Sequence, residues 1–210
     1  MVRVKICGIT NVADALAAAQ LGADVIGLNL YKGPRRIDVE RAKAIVDALP
    51  PFVSTVVLLG PDAAPKAAEL CAQCRVHGVQ LYGLESVDAW SEAVEPLGDR
   101  VVIKPIRVRD AADVDRIESF RADLHLLDAH VEGQDGGTGH TFDWSLAQQA
   151  TRCGRIMLAG GLTPSNVAEA VRSVKPYAVD CASGVEASPG KKDEALMEEF
   201  IRNAKQAAGA

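Results

Sequence analysis

No run of apolar residues in this chain approaches the ~18 needed to cross a bilayer, which excludes a helical membrane protein. The opening segment from Met1 to Cys7 passes directly into a strand pattern, with no apolar stretch of signal-peptide length. Positive charge is also in short supply: 23 Lys and Arg against 28 Asp and Glu give a formal net charge of −5. A general nucleic-acid binder needs the opposite balance to displace counterions. Aromatic residues are only 4% of the chain, and the abundant Ala suits helices packed closely on a sheet. No linker or low-complexity stretch interrupts the pattern, so residues 1–210 read as a single domain. The five cysteines are scattered and odd in number. A chain of this length needs no staples, and they read as reduced thiols of a cytoplasmic protein.

What the chain does have is a repeated pattern. With 48% hydrophobic and 24% charged residues, neither disorder nor a coiled coil fits. A β-rich apolar run is followed by an Ala-rich amphipathic run, over and over. Strands are predicted at 2–6, 24–30, 53–59, 78–81, 101–106, 124–128, 156–159 and 178–182. The helices between and after them are predicted at 11–21, 39–49, 65–74, 86–94, 111–120, 144–151, 165–174 and 193–207. Asn11 and Asp38 are plausible N-caps. Short buried strands alternating with helices imply a parallel sheet covered by helices, either a closed (β/α)8 TIM barrel or a doubly wound open sheet. No G-x-G-x-x-G follows the first strand, where a dinucleotide-binding open sheet carries it. Glycine-rich segments instead follow the seventh and eighth strands, where barrels build phosphate sites. The pattern therefore favours the barrel.

Barrel chemistry sits at the C-terminal ends of the strands, where the polar residues are Cys7, Asn29, Gln80, Lys104, Asp128 and Asp180. Strand alternation puts Lys5 and Cys7 on one face and Val2, Val4 and Ile6 on the other, so Lys5 and Cys7 face the barrel interior. An ammonium two residues away favours the thiolate, which makes Cys7 a candidate base. A small buried hydrophobe is the competing reading. Asp128 ends a strand on the face of Leu124 and Leu126, where partial desolvation suits a carboxyl that donates a proton; an ordinary loop cap is the alternative. Gly160 and Gly161 with Thr163-Pro-Ser, and Ser183 with Gly184, offer backbone N–H groups to a phosphate monoester. The loop from Gly133 to Gly139 has four glycines in seven positions and either approaches an anion or moves over the mouth. Arg35 or Arg36 can pair with a carboxylate. Cys71, Cys74 and His77 lie on a predicted surface helix with no second cysteine pair, so they read as packing rather than a metal site. His130 and His140 read as solvated loop residues.

Several segments, in order along the chain, carry a resemblance: K-I-C-G-I-T from Lys5, V-Q-L from Val79, L-L-D ending at Asp128, G-G-T-G from Gly136, T-F-D-W from Thr141, L-A-G-G-L-T-P-S-N-V from Leu158 and S-G-V-E from Ser183. Together they resemble the phosphoribosylanthranilate isomerase family from end to end. The resemblance implies a (β/α)8 barrel and the Amadori rearrangement of N-(5′-phosphoribosyl)anthranilate in tryptophan biosynthesis. It implies Cys7 as base, Asp128 as acid and Arg35 at the anthranilate carboxylate. Lys5, Gln80, Tyr82 and Asp180 line the substrate on this reading, and Gly137, Gly139, Gly160, Gly161, Ser183 and Gly184 surround its phosphate. A protonated Schiff base is its own electron sink, so no cofactor and no metal are expected. The expected partner is the small phosphorylated substrate, without nucleic acid or membrane, and the expected assembly is a monomer or homodimer. Tyr82 stands where the family usually has His, His140 where it has Lys, Cys181-Ala where it has V-S, and Asn29-Leu-Tyr replaces a more apolar strand end. The alternatives are the related isomerase of histidine biosynthesis, or a dual-substrate one, and a barrel that binds a phosphorylated metabolite without turnover.

Overall fold

A computed structural model of the chain describes residues 1–128 and 144–209. Its strands are β1 (Arg3–Cys7), β2 (Val25–Asn29), β3 (Ser54–Leu59), β4 (Gly78–Leu81), β5 (Val101–Arg107), β6 (Leu124–Asp128), β7 (Ile156–Ala159) and β8 (Ala178–Cys181). They pair in sequence order into a closed barrel. The closing seam is parallel, with Arg3 opposite Ala178 and Lys5 opposite Asp180. The helices are α1 (Val12–Gln20), α2 (Val39–Ala48), α3 (Ala67–Cys74), α4 (Val87–Val94), α5 (Ala111–Asp115), α6 (Trp144–Ala150), α7 (Val167–Val174) and α8 (Glu194–Ala207). The fold is the (β/α)8 barrel that the strand–helix alternation favours.

Local chemistry explains where the helices start. The side chains of Asn11, Asp38, Ser86, Asp110 and Asp193 each accept a hydrogen bond from the backbone N–H three residues on, at α1, α2, α4, α5 and α8. Each satisfies one of the donors that a helix N-terminus otherwise leaves unpaired.

Strand alternation then sorts the side chains into two cores. Val4, Ile6, Ile26, Leu28, Val57, Leu127, Leu158 and Val179 point outward and pack under the helices. Val56, Ile103, Leu126, Met157, Ala159 and Ala178 fill the barrel. Above this apolar floor the interior turns polar, with Lys5, Gln80 and Asp180 all buried.

Three stretches differ from the sequence-based expectation. The helix expected from residue 65 is preceded by a 3-10 turn over Pro61–Lys66, with Pro65 inside it, and α3 begins only at Ala67. Pro65 has no N–H to donate, which disfavours a regular α-helical ladder there. The helix expected over 111–120 ends at Asp115 and gives way to a 3-10 turn over Ile117–Ser119. That tighter path buries Ile117 and brings the Phe120 carbonyl to His125 Nε2 at 2.9 Å. After β8 the chain forms a small antiparallel hairpin, β9 (Glu186–Ser188) and β10 (Lys191–Lys192), which the strand pattern did not suggest.

Candidate active site

The interior face of β1 carries Lys5 and then Cys7, as strand alternation requires. Lys5 is fully buried, and its Nζ donates to Asp180 Oδ1 at 2.8 Å across the β1–β8 seam. Burial opposes the ammonium, but Asp180 and Cys7 outweigh it and hold Lys5 above its ordinary value. Cys7 is 6% exposed. Its neighbour in the sheet is Gly27 of β2, and a Cβ there would lie 2.9 Å from Cys7 Sγ and 3.2 Å from Lys5 Cε. Glycine at this position makes the space that the two functional groups occupy.

The Cys7 thiol is pushed up from its ordinary value: burial raises it, Lys5 and Lys192 lower it, and Asp180 raises it again. Lys5 favours the thiolate, in the direction expected from the sequence, but its field does not outweigh burial. Lys5 is already bonded to Asp180, whose negative charge offsets part of its field.

Asp128 ends β6 on the face of Leu126, which belongs to the barrel-filling core. It borders a cavity of about 750 Å3 at the mouth, together with Asn29, Leu58, Tyr82 and Pro105. Tyr82 follows β4 and links the two ends of the site. Burial raises its phenol, Cys7, Asp180 and Asp128 add to the rise, and Lys5 opposes it. The phenol borders the same cavity as Asp128. Its oxygen accepts a hydrogen bond from Gln80 Nε2 at 2.6 Å, and its ring stacks on Tyr31 with centroids 6.2 Å apart. Gln80 Oε1 is buried and has no hydrogen-bond partner among the described residues.

Arg35 and Arg36 part company. Arg35 donates through Nε and Nη2 to the two carboxylate oxygens of Glu186, both at 2.7 Å, and its side chain lies against Gly8, the residue that follows Cys7. Arg36 is exposed and borders a separate small cavity with Asp38 and Arg41. On the other side of the mouth, Gly160 and Gly161 follow β7 with φ of 81° and 65°. Ser183 and Gly184 form a single 3-10 turn after β8. The two loops meet at Leu162, whose carbonyl accepts from Cys181 Sγ at 3.1 Å and abuts Gly184 so closely that no Cβ would fit. Gly137, Gly139, His130 and His140 lie outside the described residues.

Two residues at strand ends have other duties. The Asn29 amide accepts from Tyr31 N and donates to the Lys32 carbonyl, both at 2.8 Å, and so shapes the turn after β2. Lys104 shares the outward face of β5 with Val102, which belongs to the outer core. Its Nζ lies 4.9 Å and 4.5 Å from the ring centroids of Trp90 and Phe120. Cys71 and Cys74 are fully buried in the outer core rather than on a surface, and His77 Nδ1 accepts from Thr55 N at 3.0 Å. Among the described residues no group of three or more His, Cys, Asp and Glu is placed to hold a metal ion, and no helix is long and apolar enough to cross a membrane. Sequence reasoning missed Glu186, Lys192 and Tyr31. Glu186 ends the S-G-V-E motif, but its partner Arg35 is 151 residues away.

The match to known proteins spans the whole site. The family model described as N-(5'phosphoribosyl)anthranilate (PRA) isomerase matches residues 4–203. The N-(5'-phosphoribosyl)anthranilate isomerase of Geobacter metallireducens is 48% identical over 206 residues, covering 98% of this chain and 100% of that protein. The crystal structure of phosphoribosyl anthranilate isomerase from Thermotoga maritima superposes with a TM-score of 0.89 at 41% identity, covering 98% of this chain and 100% of the other. A phosphoribosyl anthranilate isomerase in complex with reduced 1-(o-carboxyphenylamino)-1-deoxyribulose 5-phosphate gives a TM-score of 0.85 at 39% identity, with the same coverage. With the barrel closed, the polar interior above its floor and the paired glycine loops at its rim, this chain belongs to the N-(5'-phosphoribosyl)anthranilate isomerase family of tryptophan biosynthesis.

Proposed function

We propose that the chain converts N-(5'-phosphoribosyl)anthranilate to 1-(o-carboxyphenylamino)-1-deoxyribulose 5-phosphate with Cys7 as general base and Asp128 as general acid, acting in the cytoplasm as one barrel domain. The observation that carries the assignment is the placement of Cys7 at the end of β1 beside Lys5 and of Asp128 at the end of β6 on the barrel-filling face, both at the barrel mouth. A substrate held across that mouth would meet a proton acceptor at one strand end and a proton donor at another.

The chemistry follows from those positions. Asp128 donates a proton to the furanose ring oxygen. The C1–O bond breaks as the anilino nitrogen lone pair forms the C=N bond, giving a protonated Schiff base. Cys7 removes the proton from C2, and that electron pair forms the C1–C2 double bond while the nitrogen regains its lone pair. The resulting enolamine takes a proton at C1 and loses the hydroxyl proton, leaving the ketone. The iminium supplies the electron sink itself, so the residues need only move protons and fix geometry. The loops after β7 and β8 support a phosphate grip through Gly160, Gly161, Ser183 and Gly184, and Arg35 supports recognition of the anthranilate carboxylate. Lys5 and Asp180 brace Cys7, and Gln80 orients the Tyr82 hydroxyl.

The experiment is steady-state turnover of freshly prepared substrate, followed by its loss of fluorescence. Cys7→Ser and Asp128→Asn are each expected to lower kcat by about 100-fold or more, the contribution of one acid–base group. Turnover within tenfold of the parent in both variants would end the assignment.

A further inference from the structure

Arg35 does not stand alone at the site. Its side chain crosses directly over Gly8, where its Cδ fills the volume that a Cβ would need; Gly8 has φ 72° and follows Cys7 at once. Glu186 of the β9–β10 hairpin takes one edge of the guanidinium, and Arg35 Nη1 has no hydrogen bond among the described residues. Behind it, Glu186 Oε1 also accepts from Lys192 Nζ at 2.9 Å and from Gly190 N at 3.3 Å. Lys192 is itself anchored, its Nζ to the Ala182 carbonyl at 2.8 Å and its backbone N–H to Asp14 at 2.9 Å.

One carboxylate therefore serves two cations, Arg35 and Lys192. The Lys192 and Glu186 side chains are 0% and 4% exposed while that of Arg35 is 25% exposed, so Arg35 is the cation of the cluster that an incoming anion can reach.

We infer that Glu186 is the positioning residue for Arg35, a pincer that fixes the guanidinium beside Cys7 and leaves its remaining edge for the substrate carboxylate. Glu186 touches no substrate; it acts through Arg35, and the β9–β10 hairpin exists in this chain to deliver it. Glu186 engages only Nε and Nη2, so the arginine keeps a donor edge open and remains a receptor rather than a closed salt bridge. The inference rests on the reading of Arg35 as the group that meets the anthranilate carboxylate.

The test is a kinetic cycle on Glu186→Gln, Arg35→Met and the double variant, with N-(5'-phosphoribosyl)anthranilate and with the analogue built on aniline, which lacks the carboxylate. Glu186→Gln is expected to raise KM about tenfold for the anthranilate substrate, the scale of one charge-assisted contact, with kcat changed less than about threefold. It is expected to leave KM for the aniline analogue unchanged, and to add less than about twofold to KM in the Arg35→Met background. Glu186→Asp, which keeps the charge that balances Lys192 but withdraws its reach, is expected to show the same KM effect if Glu186→Gln does not fold. An unchanged KM in an active protein, an equal rise with the aniline analogue, or full additivity with Arg35→Met would each overturn the positioning role. A parent protein that fails to turn over the anthranilate substrate would instead overturn the reaction assignment.

Discussion

Cys7 rests as a thiol because its surroundings penalise the anion more than Lys5 favours it. A base must lose that proton before it can take another, so the site needs a further positive charge at the moment of reaction. In the reaction proposed above, the protonated Schiff base supplies one beside the sulfur. Two pH profiles separate these states. In kcat/KM, which reports the free enzyme, the rise towards high pH is expected to have its midpoint above the ordinary thiol value of 9.0. In kcat, which reports bound enzyme, the same rise is expected to shift to lower pH, because the iminium favours the thiolate. The sign follows from the proposed role: if Cys7 is the base, its protonated form is inactive and activity is lost as pH falls. Equal midpoints in both profiles, or a midpoint near neutrality in kcat/KM, would show that the thiol is activated before substrate binds. Strand alternation is enough to place Lys5 and Cys7 on one interior face, since it depends only on neighbours in sequence. That Lys5 is already bonded to Asp180 depends on a register between residues separated by 175 positions, and local pattern carries no such information.

At the scale of elements, β4, β6 and β7 fall where hydrophobic alternation puts them, and the five capped helices begin where a Ser, Asn or Asp precedes an amphipathic run. The β9–β10 hairpin escapes that reading because strands of three and two residues have no periodicity to detect. Its one local sign is Pro189-Gly190, a turn dipeptide. The Arg35–Glu186 pair that depends on the hairpin was hidden for the same reason. By contrast, β2 carries a feature visible as a bare glycine in the sequence but interpretable only beside β1. Gly27 is the gap into which Cys7 Sγ and Lys5 Cε fit. Gly27→Ala is expected to destabilise the fold by about 1–3 kcal/mol, the usual cost of overpacking. It is also expected to lower kcat at least tenfold, because the added methyl displaces the sulfur. Urea unfolding and turnover check the two effects separately. Full activity would mean that Cys7 reaches the substrate in a different rotamer.

A closed barrel must join its first strand to its last, and the seam between β1 and β8 is where the chain pays the largest loop-closure entropy. Backbone pairing there runs from Arg3 to Ile6 against Ala178 to Cys181. In the same register lies the Lys5–Asp180 ion pair, with the lysine side chain 0% and the aspartate side chain 11% exposed. Removing one partner leaves the other buried without compensation, which costs more than the pair itself contributes. Lys5→Met is therefore expected to lower unfolding free energy by about 3–5 kcal/mol, measured by urea titration. Replacing both residues, Lys5→Met with Asp180→Val, is expected to recover more than half of that loss, since an apolar pair removes the stranded charge. If the double variant is no more stable than Lys5→Met alone, the pair stabilises the seam through its specific hydrogen bond rather than through charge compensation. Activity divides the question further, because Lys5 and Asp180 also set the electrostatic field at Cys7. A double variant that regains stability yet turns over slowly would show that the interior of this barrel keeps its buried charges for the reaction, and that closure itself needs only shape.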